Sequence, residues 1–569
     1  MLQCFRMTAV REELSQVAEN ALSDYPGLVR KLLFYRGIID ADSARAFLDP
    51  EYSAHTHDPF LMKDMERAVE RVLGAITQKE KIVIYSDYDA DGVPGGVVLR
   101  DFFKKIGFEN VTNYIPHRHD EGFGLNHEAI EQFGKEGVGL LITVDCGIAD
   151  KEEIALARTL KIDTIVTDHH EPSDGGVPDA FAVLDPKQKE CNYPFKELCG
   201  SGVAYKLVQG LVARGKFGFP EGWEKWLLDM VGLATLSDMV PLVGENRVFA
   251  KYGLLVLRKS PRPGLQKLLR RAGVNQRFLT EDDVSFSISP KLNAASRLGS
   301  ADVAFKLLST DDEDEADEAS RELERLNNER KGIVGSLVRE IKKIVAERYI
   351  EPDIIVIGNP SWRPALLGLA AQTISRERAC PVFLWGRDGD GVLKGSCRSD
   401  GRTNVMELMS VATKAFEEFG GHAFSGGFTV SQEKVHTLEE MLARAKQKVV
   451  STPALDSDAM VDMRLSPEEV TSDLYTLISR LAPFGQGNEK PVFFFDGVRV
   501  QSAKLFGKER NHLEVLLTRR GATPLKAIRF FAEPPVLPRH DAPISFTASL
   551  ERSTFAGRVE LRLRIIAIL

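Results

Sequence analysis

Short apolar segments alternate with stretches of helical pattern in the first half of the chain, beginning at Lys81. Five such segments stand out: KIVIYSD, VTNYIP, GLLITVDCG, DTIVTDHH and AFAVLDP. Strands that alternate with helices favour a parallel sheet with helices on both of its faces. The sequence therefore predicts an α/β fold, and in an open parallel sheet ligands bind beyond the carboxyl ends of the strands.

The chain is too long for a single core at 569 residues, and changes of pattern divide it into five regions. We predict an N-terminal helical region at 1–75, the parallel-sheet domain at 76–305, a helical connection at 306–350, a second α/β domain at 351–455 and a β-rich domain at 456–569. The connection contains STDDEDEADEASRELERLNNERKGIVGSLVREIKKIVAERYI, which predicts one or two long, mostly solvated helices.

The last region is a succession of predicted strands: PVFFFDGVRV, NHLEVLLT, LKAIRFF, PISFTASLER and VELRLRIIAIL. Five strands of this length suit a small barrel of the OB type, which often binds single-stranded nucleic acid. A β-sandwich of similar size is the alternative. From Glu489 to Leu569 there are 14 Lys and Arg against 8 Asp and Glu, giving +6 in a chain of net charge −8. A local basic face can bind a phosphate backbone even on an acidic protein, although scattered surface charge remains the alternative.

The expected location follows from what the sequence lacks. No apolar run approaches the ~20 residues that a membrane helix needs. The N-terminal stretch MLQCFRMTAVREELSQ has no long apolar segment, so we expect no secretory signal. The six cysteines form no CxxC pair, which favours free thiols in a reducing compartment. We therefore expect a cytoplasmic protein without a membrane partner.

Acidic side chains follow three of the predicted strands. The candidates are Asp87, Asp89 and Asp91 after KIVIYS, Asp145 at the end of GLLITVD, Asp168 with His169 and His170 at the end of DTIVTDHH, and Asp238 after a further apolar segment. Crowded carboxylates raise the cost of ionising one another unless a cation lies between them. Carboxylate and imidazole without thiolate favour manganese or magnesium over structural zinc. Two such ions ~3.5–4 Å apart can activate a water and stabilise the leaving oxygen of a phosphodiester.

Calcium binding of the EF-hand type is excluded at the first of these clusters. Counted from Asp87, the twelfth position is Val98, where an EF-hand loop needs a bidentate Glu. The preceding segment KIVIYS is β-branched and predicts a buried strand, where an EF-hand needs a helix. A turn with solvated charges is the alternative for any one cluster, but three clusters after three strands favour a metal site.

The motifs SDYDADG, VDCG, TDHH and LSDMVPL, in this order and spacing, resemble those of the DHH phosphoesterase superfamily and, within it, of the RecJ family of single-strand-specific exonucleases. The resemblance extends over nearly the whole chain through YIPHRHDEGFGL, SGVAYKL, PLVGENR, PKLNAASRLG, KGSCRS, FGGHAFSGGF and LAPFGQGN. It implies a DHH domain, a DHH-associated domain joined to it by a long helix, and a C-terminal OB domain.

The activity that the resemblance implies is 5′-to-3′ exonucleolytic hydrolysis of single-stranded DNA with two manganese or magnesium ions, in DNA repair and recombination. Expected partners are single-stranded DNA, a single-strand-binding protein and a helicase. One alternative is hydrolysis of oligoribonucleotides or cyclic dinucleotides, by enzymes that resemble only the two central domains. Another is a catalytically inactive DNA-binding scaffold, a class that loses the acids of the metal motifs, whereas this sequence keeps them.

The resemblance also implies roles for single residues. The implied ligands of the two ions are Asp89, Asp91, Asp145, His169 and Asp238, with Asp145 as the bridge. Asp87 and His170 complete the implied catalytic set, with His170 facing the scissile phosphate. The implied substrate-binding residues are Arg118, Asn293, Arg297, Ser396, Arg398 and His422. Arginine suits this role because its guanidinium offers a planar fork of donors to phosphate oxygens.

Several positions depart from the family pattern. Arg363 replaces a His, Ala365 a Gly, Lys291 an Arg and Ser296 a Gly. Pro94 stands where hydroxyl residues are common, and it lacks an amide N–H. Tyr85 occupies the place of a metal-binding His in some members of the superfamily. None of these changes removes an implied metal ligand, so they bear on the contacts with the substrate end.

Overall fold

The computed structural model describes residues 13–173, 175–349, 352–449, 461–507, 510–531, 537–553 and 559–569. Most of the stretch on which the absence of a secretory signal was predicted, including Cys4, lies outside these residues. The chain divides into two units. The first combines Met1–His57, Met239–Tyr252 and Asp456–Leu569, and the second combines Asp58–Asp238 and Gly253–Leu455.

Four short helices open the described part of the first unit: α1 (Gln16–Ala21), α2 (Gly27–Phe34), α3 (Ala41–Leu48) and α4 (Tyr52–His55). Side-chain caps fix where two of them begin. The Ser15 side chain accepts a hydrogen bond from the backbone N–H of Ala18, and Asp40 accepts one from that of Ser43. Such caps satisfy backbone donors that have no partner within the helix.

The second unit contains α5 (Met65–Gln78) and a five-stranded sheet of β1 (Lys81–Ser86), β2 (Val111–Tyr114), β3 (Val138–Val144), β4 (Asp163–Thr167) and β5 (Ala182–Leu184). The strand order is β2-β1-β3-β4-β5, and every pair is parallel. The helices that alternate with these strands are α6 (Gly92–Lys105), α7 (His127–Lys135), α8 (Lys151–Thr159) and α9 (Gly200–Arg214). The predicted parallel sheet is confirmed.

Helices follow up to the second sheet: α10 (Leu228–Ser237), α11 (Gly244–Leu257), α12 (Pro263–Ala272), α13 (Glu281–Asp283), α14 (Ser289–Leu298), α15 (Asp302–Ser309) and α16 (Glu313–Arg348). A π-helical turn at Val284–Ile288 leads into α14. The predicted long connection is a single helix of 36 residues, α16. It buries Leu323, Leu337 and Ile341 on one side, while its acidic start is exposed.

The second sheet consists of β6 (Ile355–Gly358), β7 (Val382–Arg387), β8 (Leu393–Arg398), β9 (Glu418–His422) and β10 (Ser425–Val430), in the order β6-β7-β8-β10-β9. Only β6 and β7 run parallel among these pairs; the others are antiparallel. Its helices are α17 (Pro364–Arg378), α18 (Val405–Val411) and α19 (Leu438–Lys446). This sheet is the predicted second α/β domain.

The C-terminal strands are β11 (Met463–Arg464), β12 (Phe493–Phe506), β13 (His512–Leu517), β14 (Leu525–Arg529), β15 (Pro543–Ser553) and β16 (Glu560–Ile568), and α20 (Ser472–Ser479) lies between the first two. Their order is β11-β12-β13-β14-β16-β15, and β12 also pairs with β15. That last pairing closes the sheet on itself, as a barrel requires. The structure therefore has the predicted OB-like barrel.

The N-terminal helices and the barrel share one hydrophobic core. Val29 and Leu33 of α2 belong to the same buried cluster as Phe493, Phe495 and Phe546 of the barrel. Full burial of a side chain of this size contributes ~1.5–3 kcal/mol. The sequence placed these residues in two separate regions and gave no sign of a common core. The domain boundaries stay predictions.

Among the described residues, none of the helices is both long enough and apolar enough to cross a membrane. The five cysteines that the structure describes, Cys146, Cys191, Cys199, Cys380 and Cys397, are all free and buried.

Candidate metal centre and arginine cluster

The acids predicted at strand ends meet at one edge of the first sheet. Strands β1, β3 and β4 are direct neighbours, so Asp87, Asp145 and Asp168, which follow them, lie side by side. Asp238 reaches the same place from the C-terminal end of α10, where it is the capping residue. The carboxyl edge of the sheet is thus the site, as expected for a parallel sheet.

The donor atoms fall into overlapping groups whose atoms all lie within 4.8 Å of one another: Asp87, Asp89 and Asp145; Asp91, His169 and Asp238; and Asp145, His169 and His170. Nε2 of His169 lies 3.1 Å from Oδ1 of Asp145. The same nitrogen lies 3.8 Å from Oδ2 of Asp91 and 3.7 Å from Oδ2 of Asp238. Because Asp145 belongs to the first group and contacts the His of the second, the geometry suits two cations that share this carboxylate.

Helix α9 holds Asp91 in place. The backbone N–H groups of Gly200 and Ser201 each donate to one carboxylate oxygen of Asp91 at 2.7 Å, and the Ser201 hydroxyl donates to its backbone oxygen at 2.6 Å. A helix N-terminus favours negative charge. A Cβ on Gly200 would lie 2.5 Å from the Cβ of Asp145, so only glycine fits there. Ser201 begins the motif SGVAYKL and Gly200 precedes it, but the sequence predicted no role for either residue.

The turn from Asp89 to Gly92 is fixed by hydrogen bonds to its backbone. Oδ1 of Asp89 accepts from the N–H groups of Asp91 at 2.7 Å and Gly92 at 3.2 Å. The N–H of Ala90 donates to Oδ1 of Asn293 at 2.9 Å. Asn293 was predicted to bind substrate, and the structure places its amide oxygen against this turn.

Two buried carboxylate oxygens face the site without a donor. Oδ1 of Asp87 and Oδ1 of Asp145 accept no hydrogen bond from the described residues, and Nε2 of His169 lies 3.1 Å from the latter oxygen without forming one. Asp145 has a φ of 63°, a left-handed conformation that costs a non-glycine residue energy. Buried polar atoms normally have partners. Oxygens without a donor, next to other carboxylates, therefore fit a bound cation.

Burial and mutual repulsion shift the pKa values of these acids. Burial raises the pKa of Asp87, Asp145 and Asp238 well above the usual value, and the neighbouring carboxylates Asp89 and Asp91 add to the shift. Burial raises the pKa of Asp91 to about 6, and Asp89 adds to it. A bound divalent cation would reverse this, since it is the largest local charge in such a site. Oxygen donors with one imidazole and no thiolate suit Mn²⁺ or Mg²⁺.

The two histidines differ in charge. Burial, helped by the charge of His170, lowers the pKa of His169 to about 3, so its ring is neutral and can act as a ligand. Burial would also lower the pKa of His170, but the hydrogen bond to Asp168 raises it to about 9. Nδ1 of His170 lies 2.8 Å from Oδ1 of Asp168, whose Oδ2 accepts from the N–H of Ile148 at 2.9 Å. His170 is therefore a cation at neutral pH.

Four arginines gather near α14. Burial and the charges of Arg118, Arg330 and Arg398 lower the pKa of Arg297 to about 9. Nη1 of Arg297 donates to the backbone oxygen of Ala365 at 2.7 Å. Guanidinium groups repel one another, so this cluster favours a bound anion. Arg330 comes from α16 and could not be predicted from the sequence, because it lies in a charged helix without a motif.

The other predicted substrate-binding residues lie on the second sheet. Ser396 and Arg398 are two positions apart on β8 and share a face. Arg398 pairs with Ser425 of β10, and Ser425 pairs with His422 of β9. Neighbouring strands lie ~4.8 Å apart. The exposed His422 is therefore two strands away from Arg398.

Two departures from the family pattern are absorbed in the interior. Lys291 is buried and forms an ion pair with Glu324 of α16. The buried Ser296 donates its hydroxyl to the backbone oxygen of Asn293 at 3.4 Å. Neither side chain is directed to solvent.

Three further departures from the family pattern are those at Pro94, Tyr85 and Arg363. Pro94 lies in the first turn of α6, where a backbone N–H would have no acceptor within the helix. The hydroxyl of Tyr85 donates to the backbone oxygen of Gly124 at 2.9 Å, so it serves the fold. Arg363 is exposed and precedes α17.

Three parts of the chain match known families. Residues 81–235 match the DHH family, N-terminal domain, residues 332–451 the DHHA1 domain, and residues 461–567 the RecJ OB domain. These matches cover the first sheet with α6 to α9 and most of α10, the second α/β domain with part of α16, and the barrel.

Several curated relatives are single-stranded-DNA-specific exonucleases named RecJ. The relative from Bacillus subtilis is 36% identical over 504 residues, which are 88% of this chain and 63% of that protein. The relative from Escherichia coli is 31% identical over 535 residues, which are 90% of each chain. This chain thus spans less than two thirds of the first relative and most of the second.

Solved structures agree in fold. The crystal structure of RecJ in complex with Mn²⁺ from Thermus thermophilus superposes with a TM-score of 0.79 at 26% identity, covering 97% of this chain and 77% of that one. Its complex with Mg²⁺ gives a TM-score of 0.73 at 25% identity and covers 97% of this chain and 76% of that one. An exonuclease RecJ bound to manganese gives 0.59 at 31% identity, covering 68% of this chain and 95% of that one.

Proposed function

Because this chain belongs to the RecJ family of single-stranded-DNA-specific exonucleases, we propose that it hydrolyses single-stranded DNA from the 5′ end with two Mn²⁺ or Mg²⁺ ions, in DNA repair and recombination. The observation that carries this proposal is the pair of donor groups joined through Asp145, at the carboxyl edge of the first sheet.

The residues at this edge would have different roles in the reaction. Two bound cations would supply the activation of a water and the stabilisation of the leaving oxygen. Asp145 would contact both cations, and the neutral His169 would be a ligand of one. Asp91 would keep its orientation through Gly200 and Ser201. The cationic His170 would donate a hydrogen bond to a phosphate oxygen.

The arginine cluster supports the proposed polarity. A terminal phosphate carries more charge than a phosphodiester, so converging guanidiniums prefer a chain end. The charges of Arg118 and Arg398 both lower the pKa of Arg297, although the three residues are far apart in sequence. Holding a 5′-phosphate there would align the first phosphodiester linkage with the metal centre.

The barrel supports single-stranded DNA as the substrate. His512 contacts Phe530 and Phe531 at ring-centroid distances of 5.4 and 4.9 Å, and Arg564 lies 5.5 Å from the Phe530 ring. Phe531 is 74% exposed. Exposed aromatic rings beside guanidinium groups can stack on successive bases of a single strand.

We also infer the finer points of partnership and location. A nuclease of single strands depends on unwinding, so a helicase and a single-strand-binding protein would supply its substrate, in the cytoplasm. The free, buried cysteines support a reducing compartment. Adding a single-strand-binding protein to a digestion of long single strands should change its rate, and no change would remove this partner from the proposal.

The test of the main proposal is digestion of single strands that carry the label at the 5′ or the 3′ end. With Mn²⁺ we expect early release of the 5′ label as a mononucleotide, and chelation should stop the reaction. Asp145→Ala should lower the rate by roughly 10³-fold or more, since a metal centre contributes several kcal/mol to transition-state stabilisation. The matched control is Asp179→Ala, because Asp179 is 81% exposed and pairs with Arg158 away from the site. Near-normal activity of the Asp145→Ala protein would contradict the proposal.

A further inference from the structure

One face of α14 contacts three parts of the site. Ser289, Asn293 and Arg297 are spaced by four residues, which places them one above another on the same side of a helix. The Ser289 hydroxyl lies 2.5 Å from that of Ser237, the residue before Asp238. Arg297 donates to Ala365, in the second α/β domain. Asn293 lies between these two contacts.

The contact of Asn293 is with the backbone of the metal-binding turn. Its amide oxygen accepts from the N–H of Ala90, which stands between Asp89 and Asp91. Ala90 is buried, so its N–H would otherwise lose a partner when water is removed. The next two N–H groups of the turn, of Asp91 and Gly92, both donate to Asp89. Three consecutive donors are thus satisfied, and Asn293 supplies the one acceptor from outside the turn.

This outside acceptor opposes the repulsion within the turn. The charge of Asp89 raises the pKa values of both Asp87 and Asp91, so the carboxylates of the turn repel one another when no cation lies between them. A bond to α14 links the turn to a helix that also contacts the segment carrying Asp238. Supporting residues on rigid elements hold a site in its productive geometry.

We propose that Asn293 is a positioning residue of the metal centre: its amide oxygen orders the Asp89–Asp91 turn for cation binding, and its role is not contact with DNA. This rests on the proposed function, because it takes the acids of the turn as metal ligands. It differs from the substrate-binding role that the sequence predicted for Asn293. The two roles make opposite demands on the side chain, since positioning needs an acceptor, while a phosphate contact needs the amide donor.

Two substitutions separate these demands. Asn293→Ala removes both the acceptor and the donor. Asn293→Asp keeps an acceptor in the same place, but it replaces the donor with a charge that repels phosphate. Asn275→Ala is the matched control, because Asn275 makes the same kind of bond, from its Oδ1 to the N–H of Arg277 at 3.1 Å, at an exposed turn.

The primary measurement is calorimetric titration of the metal-free proteins with Mn²⁺ and without DNA. For Asn293→Ala we expect the affinity of at least one Mn²⁺ to fall by about tenfold, the usual consequence of leaving one buried backbone donor without a partner. Asn293→Asp and Asn275→Ala should both stay within about threefold of the wild type. Thermal unfolding of the metal-free proteins checks that each variant is folded.

The second measurement is steady-state cleavage of a short single strand at fixed Mn²⁺. Positioning predicts that Asn293→Ala lowers kcat, that KM for the strand stays unchanged, and that saturating Mn²⁺ restores part of kcat. Unchanged Mn²⁺ affinity in Asn293→Ala together with a raised KM would overturn the inference and return Asn293 to the substrate. Equal loss of Mn²⁺ affinity in Asn293→Ala and Asn293→Asp would overturn it as well, because the acceptor would then have no part.

The same titration separates this inference from the proposed function. If the wild-type protein binds no Mn²⁺, the proposed function fails and the role of Asn293 fails with it. If the wild type binds Mn²⁺ and Asn293→Ala binds it equally well, only the role of Asn293 is overturned.

Discussion

Two clusters of opposite charge differ in how the chain positions their side chains. One is the acidic edge of the first sheet, with Asp87, Asp89, Asp91, Asp145 and Asp238, and the other is the arginine cluster beside α14. The backbone fixes the acids: both carboxylate oxygens of Asp91 accept from N–H groups of α9, and Asp145 follows a strand directly. The arginines come from a loop, from α14, from β8 and from α16, and they reach the cluster with long side chains. One region is built into the sheet, while the other is assembled from distant parts of the chain.

This difference predicts how the two regions respond to change. Carboxylates that the backbone places cannot adjust, so a small displacement should remove cation binding altogether. Guanidiniums on flexible stems can shift, and several of them would share a bound anion. Loss of one arginine should therefore weaken the binding of a phosphate without abolishing it.

The largest effect should come from a methyl group beside Asp145. In Gly200→Ala the new Cβ would lie 2.5 Å from the Cβ of Asp145 and 2.6 Å from its Oδ1, so the carboxylate must move. A displacement of about 1 Å in a catalytic group can cost 10²-fold in rate. We expect at least this loss, together with weaker Mn²⁺ binding in calorimetry.

Gly202→Ala is the control for this prediction. It adds the same methyl group in the same helix, where the nearest atom is the Cys199 sulfur at an ordinary 3.6 Å. Both variants gain helix propensity to the same degree. Equal activity of the two variants would show that the backbone does not hold the carboxylate of Asp145 rigidly.

A smaller effect should come from Arg398→Ala, which tests the flexible region. We expect the wild type to degrade strands with a 5′-phosphate faster than strands with a 5′-hydroxyl, and the variant to lose about tenfold of this preference, as for one charge-assisted hydrogen bond. Comparing two substrates in two proteins gives the coupling directly.

Arg387→Ala is a suitable control, because Arg387 is exposed at the end of β7 in the same sheet. It should keep the preference for a 5′-phosphate. An Arg398→Ala protein with the same rate ratio as the wild type would show that this arginine does not bind the strand end, and the departure at Arg363 would then gain weight.

The acidic edge could be predicted from sequence because parallel topology leaves little choice. Acids that follow successive strands must meet at the carboxyl edge of a parallel sheet, and Asp87, Asp145 and Asp168 do so. Asp238 entered the prediction through its motif, and the structure supplies it from a helix end. The local sequence pattern and the parallel topology were therefore sufficient to predict that the acids after β1, β3 and β4 share one edge.

The other features depend on contacts between segments that are distant in the sequence. The hydrophobic periodicity of a segment does not predict such contacts. Arg330 joins the arginine cluster from a helix whose charges look like a solvated surface. The amide oxygen of Asn293 bonds to a turn 203 residues away. The common core of the N-terminal helices and the barrel is another such case. A family motif marks some of these residues, but it does not say what they touch.

The smallest predicted effect concerns His170, whose ring is protonated beside the acids of the first sheet. The hydrogen bond with Asp168 raises its pKa to about 9, above the usual 6.5. A raised folded-state pKa stabilises the protein fully below pH 6.5, and this stabilisation is lost as the pH rises through about 9. In metal-free protein, His170→Gln should therefore lower Tm relative to the wild type at pH 6 and have much less effect at pH 10.

The size of this effect is limited because the His170 side chain is 36% exposed. Solvent screening reduces it to on the order of 1 kcal/mol, or ~1 °C in Tm for a chain of 569 residues. The partner provides the control: in an Asp168→Asn background the pH-dependent difference should become much smaller, because the largest contribution that raises the pKa of His170 is then gone and only the weaker effects of the charges of Asp238 and Asp91 remain. A Tm difference that is the same at pH 6 and pH 10 would mean that His170 is held by packing rather than by its charge. His170 would then add no stabilising charge to the acidic edge.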